Sequence, residues 1–188
     1  TGPTYTPTAN TNLYAVYSKT GSGNAPTAYT AGDVGNYVIA TLSEGTYYAL
    51  PNNPTVNSGK ITGVEITTET TAGNVVYVST SNAMGYTWTI ADAANGQTIS
   101  DGSKYIYHRT GGNSSTDLAY GTSTSFTWKI EKEATGLTFK AMNEATINSR
   151  GMLCSGTTFG GYALSNEDAS GYNRIVVLPI GGSTTYTT

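Results

Sequence analysis

A five-residue pattern in this chain recurs after 40 residues. Tyr86-Thr87-Trp88-Thr89-Ile90 is followed six residues on by Gly96, and Phe126-Thr127-Trp128-Lys129-Ile130 six residues on by Gly136. Each glycine restarts a strand-like run, Gln97-Thr98-Ile99 in one case and Leu137-Thr138-Phe139 in the other. Self-similarity at a fixed period constrains architecture more than any single motif, because repeated units must bury their apolar faces in the same way. The spacing also assigns a role. On a strand, residues two apart share a face, so Trp88 with Ile90 and Trp128 with Ile130 are expected core anchors.

The rest of the chain points the same way. Charged residues make up 11%, against about 25% in average globular proteins, and 23 glycines and 15 tyrosines accompany abundant threonine. Threonine and tyrosine suit half-buried pleated surfaces, and glycine supplies turns. From Asp33 onward, short β-branched or aromatic runs alternate with Gly/Asn/Ser punctuation at roughly 8–15-residue spacing, and no 3.6-residue apolar stripe survives the glycines and threonines. An all-β fold is expected. The runs divide into three blocks of about four strands: 36–90, with an insertion around 51–73, then 96–130 and 136–178. Each block opens on a glycine-led strand. The third closes on Arg174-Ile175-Val176-Val177-Leu178, with aliphatics where the others carry tryptophan.

Three similar four-strand units resemble a β-trefoil, with an immunoglobulin-like β-sandwich as the alternative. Trp88 and Trp128 stand where the ricin-type lectin branch of the trefoil carries a Gln-x-Trp signature. Here Tyr86 and Phe126 replace the glutamine, and the third block lacks the tryptophan. The stretch from Tyr5 to Ser18, with Tyr5-Thr6-Pro7 and Leu13-Tyr14-Ala15-Val16-Tyr17, resembles the end of a Listeria–Bacteroides (internalin-type) repeat, a small extracellular β-module. The expected organisation is the end of a preceding repeat module over 1–18, a linker over 19–32, a trefoil-like domain over 33–180 and a tail over 181–188. The chain starts at Thr1 and is expected to be a processed product or a piece of a longer protein. The resemblance implies a secreted or surface-attached, multidomain bacterial protein.

Several function classes lose support. The net charge is −3 with no basic stripe, so no nucleic-acid partner is expected. No run of 18 apolar residues occurs, so no membrane insertion is expected. His108 is the sole histidine and is expected at a strand-end surface, on the face opposite Tyr107; no Gly-x-Ser-x-Gly elbow accompanies it. Asn166-Glu167-Asp168 is the only acidic cluster and lacks the spacing of a calcium loop, so a solvated loop is expected. Cys154 lies in an apolar run and is expected to be packed and inert. Gly111-Gly112-Asn113 and Gly160-Gly161 are expected turns. No catalytic residue, metal or cofactor is expected.

What remains is aromatic and amide surface. Sugars present CH faces and hydroxyls, so their sites combine an aromatic plate with polar groups in a shallow concavity. Three clusters at comparable places in the blocks offer this: Tyr47 or Tyr48 with Asn52 and Asn53; Tyr105 or Tyr107 with Asp101; and Phe159 with Tyr162 and Asn166. The expected function is a non-catalytic carbohydrate-binding module, its partner a glycan or polysaccharide. The alternative is a structural or adhesin domain that binds another surface protein and no small ligand.

Overall fold

The computed structural model describes residues 25–109, 117–142 and 150–181. The segment resembling an extracellular repeat (1–18), the Gly111–Asn113 turn and nearly all of the tail fall outside them. Among the described residues the strands are β1 (Gly35–Ser43), β2 (Thr46–Ala49), β3 (Lys60–Thr62), β4 (Val64–Ile66), β5 (Glu69–Thr70), β6 (Val76–Tyr77), β7 (Thr87–Ala93) and β8 (Gly96–Ser100), then β9 (Tyr105–His108), β10 (Leu118–Gly121), β11 (Trp128–Glu133), β12 (Gly136–Ala141), β13 (Arg150–Ser155), β14 (Thr158–Ala163), β15 (Tyr172–Asn173) and β16 (Ile175–Pro179). One 3-10 turn, Leu164–Asn166, is the sole helical element among them, and no helix is long and apolar enough to cross a membrane. The fold is all-β, built on a large antiparallel sheet.

Six strands form a closed sequence of antiparallel pairings. β1 pairs β7, β7 pairs β8, β8 pairs β11, β11 pairs β12, β12 pairs β16, and β16 returns to β1. The register explains the repeat. Trp88 faces Tyr37 across β1–β7, Trp128 faces Gln97 across β8–β11, and Ile175 faces Leu137 across β12–β16. Ile175 is therefore the third block's counterpart of the tryptophans. Two residues further along each strand stand Ile90, Ile130 and Val177, and all six side chains enter one core cluster.

Chain excursions join the ring strands and close over the core. The indole Nε1 of Trp88 donates to the Leu50 carbonyl at 2.9 Å, and that of Trp128 to the Ile106 carbonyl at 2.8 Å. Each buried tryptophan thus ties a ring strand to the start of its own block's excursion. β3 pairs β14, bringing Ile61 opposite Phe159, and the Leu118 amide donates to the Gly59 carbonyl at 3.0 Å. These contacts link the three excursions, and Ile61, Leu118 and Phe159 join the core.

β1 is buried on both faces from Val38 to Thr41. Ile39 points into the main cluster, while Val38 and Ala40 meet Ala49, Val78, Ala83 and Leu178 in a second one. This is why β1 reads as a continuous apolar run rather than an alternating one. Tyr29, within the segment read as a linker, packs edge-on to Tyr37 with ring centroids 5.1 Å apart.

Three expectations need correction. Gly160-Gly161 is the middle of β14, not a turn. A Cβ on Gly160 would stand 2.6 Å from the Tyr162 ring, and one on Gly161 2.5 Å from the His108 ring, so these glycines permit close packing. His108 is 2% exposed, not a surface residue. The alternation of β9 was legible, but the side-chain-free Gly161 opposite it lets the imidazole sink into the protein. The acidic cluster is solvated only in part: Asp168 stays exposed, while the Glu167 side chain is drawn in. Arg174 donates to both Asp168 oxygens at 2.8 Å and pairs with Glu167 at 3.3 Å, while the Thr138 hydroxyl donates to Glu167 at 3.0 Å. Cys154 is buried, and burial pushes its thiol up.

Candidate functional site

The β9–β10 hairpin carries the most developed aromatic surface. Ile106 and His108 point inward, so alternation turns Tyr105 and Tyr107 outward, where both are half-buried. Their cross-strand partners on β10 are small: Gly121 opposite Tyr105, and Ala119 opposite Tyr107. The Tyr107 ring lies over Gly121, where a Cβ would stand 3.0 Å from its hydroxyl. After β10 the chain doubles back and stacks Phe126 on Tyr107, with centroids 4.8 Å apart and planes 15° from parallel.

A cleft of about 320 Å³ lies between β10 and the 56–59 segment, and Ala119, the cross-strand partner of Tyr107, is part of its wall. Ser58, Arg109 and Tyr120 line it with Ala119, Leu118 and Val56. One wall is a tight turn. Asn57 and Lys60 exchange amide–carbonyl hydrogen bonds at 2.9 and 3.0 Å, with Ser58 at φ 49° and Gly59 at φ 71°. Positive φ at both central residues matches the twist of the flanking chain and fixes the turn. Arg109 is held 3.3 Å from Asp117.

Tyr120 is locked in place. Its ring meets Trp88 edge-on at 6.4 Å, Lys104 Nζ sits 5.1 Å from its centroid, and its hydroxyl donates to Asp101 Oδ2 at 2.6 Å. Asp101 also accepts from the Asn53 amide at 3.0 Å, the Ser103 amide and hydroxyl at 3.0 and 2.9 Å, and the Lys104 amide at 3.0 Å. Burial works to raise this carboxyl. Hydrogen bonds from Tyr120, Lys104, Asn53 and Ser103 outweigh it and hold Asp101 well below the usual carboxylate range.

The nine candidate residues fare differently. Tyr105 and Tyr107 share one face. Asp101 lies one turn away, occupied by five donors, and fixes the site's geometry rather than offering acceptors. Asn52 is likewise engaged, donating from Nδ2 to the Thr87 carbonyl at 2.8 Å. Tyr47 and Tyr48, adjacent on β2, point to opposite faces and form no joint plate; Tyr47 packs on the second cluster. Phe159 is fully buried and Tyr162 is 5% exposed, so the third plate is corrected to core: β14 lies between β13 and β3, and Tyr162 packs edge-on to Tyr172 at 5.0 Å. Asn166 is half-buried in the 3-10 turn, away from any exposed aromatic pair. The sequence reading missed Phe126, Tyr120, Ser58 and Arg109 as site residues. Phe126 precedes the core strand β11 by two residues, and its stacking on Tyr107, 19 residues earlier, has no signal in the sequence.

No carboxylate lines the cleft, and no group of three His, Cys, Asp or Glu among the described residues is placed to hold a metal ion. The arrangement offers an aromatic plate, a hydroxyl and a guanidinium.

Acidification should weaken the fold in two stages. Burial lowers the His108 pKa from 6.5, with the Arg109 carbonyl and Asp117 opposing and Arg150 assisting. Asp101 is depressed from 3.8. A depressed folded-state pKa contributes stability above the unfolded value and loses it as pH falls through the folded one. Asp168, held down to about 2 chiefly by its hydrogen bond from Arg174, adds to the second stage. Glu167, raised by burial, has the opposite sign and partly offsets it. Melting temperature followed from pH 8 to pH 2 should fall below about pH 6.5 and again below about pH 4. Asp101→Asn should flatten the second decline, and an unchanged second decline in that variant contradicts the assignment.

No known family model matches the chain, and comparison with curated proteins finds no match.

Proposed function

We propose that this chain is a non-catalytic carbohydrate-binding module on a β-trefoil framework, belonging to a secreted or surface-attached protein. The trefoil reading is supported by the closed ring of six strands, by the equivalent registers of Trp88, Trp128 and Ile175, and by the three linked excursions. The binding reading is carried by one observation: Tyr107, stacked on Phe126, is the cross-strand partner of Ala119, which lines a 320 Å³ cleft together with Ser58 and Arg109. A sugar ring would lay its CH face on the aromatic pair and turn its hydroxyls to Ser58 and Arg109. The low charge of the chain and the resemblance of its first residues to an extracellular repeat support an extracellular setting.

A glycan array with affinity electrophoresis in polysaccharide gels tests this. The protein should be retained by at least one glycan, and Tyr107→Ala should weaken retention about tenfold, on the order of 1.4 kcal/mol of stacking and burial. Folded protein that no glycan retains would sink the reading. A protein-binding adhesin domain is then favoured. The observation behind it is the apolar strip on β1, β2 and β4, where exposed Leu42 and Val64 share a face with Tyr47 and Ile66.

A further inference from the structure

A second cleft, of about 440 Å³, lies on the far side of the 57–60 turn, along β3 and β14. Pro51 and the backbone around the buried Ile61 are part of its lining. Its polar groups are the hydroxyls of Thr55, Thr62 and Thr158, the Asn57 amide and the Lys60 ammonium. The register makes this a built surface rather than a chance hollow. Thr62 and Thr158 are direct cross-strand partners, and Lys60, two residues before Thr62 on the same face, stands opposite Gly160. The Asn57–Lys60 turn is closed by hydrogen bonds in both directions, so the Lys60 backbone is held before any ligand arrives.

The charge balance is one-sided. Lys60 is the only charged residue in the lining, and among the described residues it makes no ion pair. An ammonium among neutral donors and acceptors, with no carboxylate to satisfy it, fits a ligand bearing one negative charge and several hydroxyls. No aromatic residue lines this cleft, so it would read the polar edge of a sugar rather than its face.

We infer that the β3–β14 cleft is an acidic-sugar subsite, with Lys60 binding the carboxylate of a uronic acid and the three threonines its hydroxyls. This deepens the carbohydrate-binding reading and rests on it. The cleft shares the 55–60 segment with the aromatic site, so one oligosaccharide crossing the turn would occupy both.

Calorimetric titration of the full chain with tri-galacturonic acid and with its neutral methyl ester tests the inference, in wild type, Lys60→Gln and Tyr107→Ala. Lys60 is exposed, so Lys60→Gln should melt with the wild type. The acid should bind about three- to fivefold more tightly than the ester, the range of a solvent-exposed ion pair, and the advantage should shrink with added salt. In Lys60→Gln the ratio should fall to about one. In Tyr107→Ala both ligands should weaken with the ratio kept. Equal binding of acid and ester by the wild type overturns the acidic subsite and leaves the glycan reading standing. A preference for the acid that survives in Lys60→Gln overturns the assignment to this cleft. Binding of neither overturns the subsite, and a blank glycan array beside it removes the parent reading as well.

Discussion

Trp128→Ala should cost about 3–5 kcal/mol of folding stability, read as a lower denaturant midpoint at unchanged slope. Trp128 has no exposed surface and sits among Ile106, Ile130, Phe139 and Met152 in the main cluster. Truncation would leave a large cavity in a close-packed interior. The indole also does something no aliphatic side chain can. Its Nε1 donates to the buried Ile106 carbonyl at 2.8 Å, tying β11 to β9. Trp128→Phe keeps most of the volume but orphans that carbonyl, at roughly 1–3 kcal/mol. The alanine and phenylalanine variants together separate packing from hydrogen bonding. Against a typical total of about 5–15 kcal/mol, the alanine variant should stand near the edge of folding. A loss under about 1 kcal/mol would mean that the repeated tryptophan does not hold the core.

Local, periodic features were legible in the sequence, and features that depend on which strands meet were not. Alternation correctly put His108 on the face opposite Tyr107, because side-chain direction on a strand follows from position alone. It left His108 at a surface, because its burial depends on Gly161 of β14, 53 residues on. Gly160-Gly161 misled for a related reason. Glycine pairs usually mark turns, but these two make room for the Tyr162 and His108 rings, and sequence cannot tell conformational freedom from a need for space. Asp101, expected to meet a ligand, is instead occupied by groups of the protein itself. Three of its five donors lie within three residues of it, but the Tyr120 hydroxyl comes from 19 residues away and the Asn53 amide from 48. The Phe126 stack was hidden by its neighbour: a residue two before a core tryptophan would share its face only if the strand began there, and β11 begins at Trp128 itself.

The glycines that open the three blocks should differ in their tolerance of a side chain, with Gly96→Ala the most damaging. Gly35, Gly96 and Gly136 share φ values of 140°, 136° and 153°, a region that L residues rarely enter. Alanine at any of them should incur backbone strain of about 1–3 kcal/mol. The space around them separates the three. At Gly35 a new Cβ would meet only the Tyr37 ring at 3.5 Å, an ordinary contact. At Gly136 it would stand 2.9 Å from Arg174 Cδ, a side chain that could shift but is held by Asp168 and Glu167. At Gly96 it would stand 2.5 Å from the Trp128 carbonyl oxygen and 3.2 Å from its carbon. That obstacle is backbone, on the strand whose tryptophan anchors the core, and it cannot withdraw without breaking the Gln97–Trp128 pairing that joins β8 to β11. Gly96→Ala should therefore exceed the strain range, Gly136→Ala should fall near its top, and Gly35→Ala should stay within it. Equilibrium denaturation of the three variants reads the order directly. Equal losses at Gly35 and Gly96 would show that φ alone governs these positions and that the close approach of β8 to β11 carries no energetic weight.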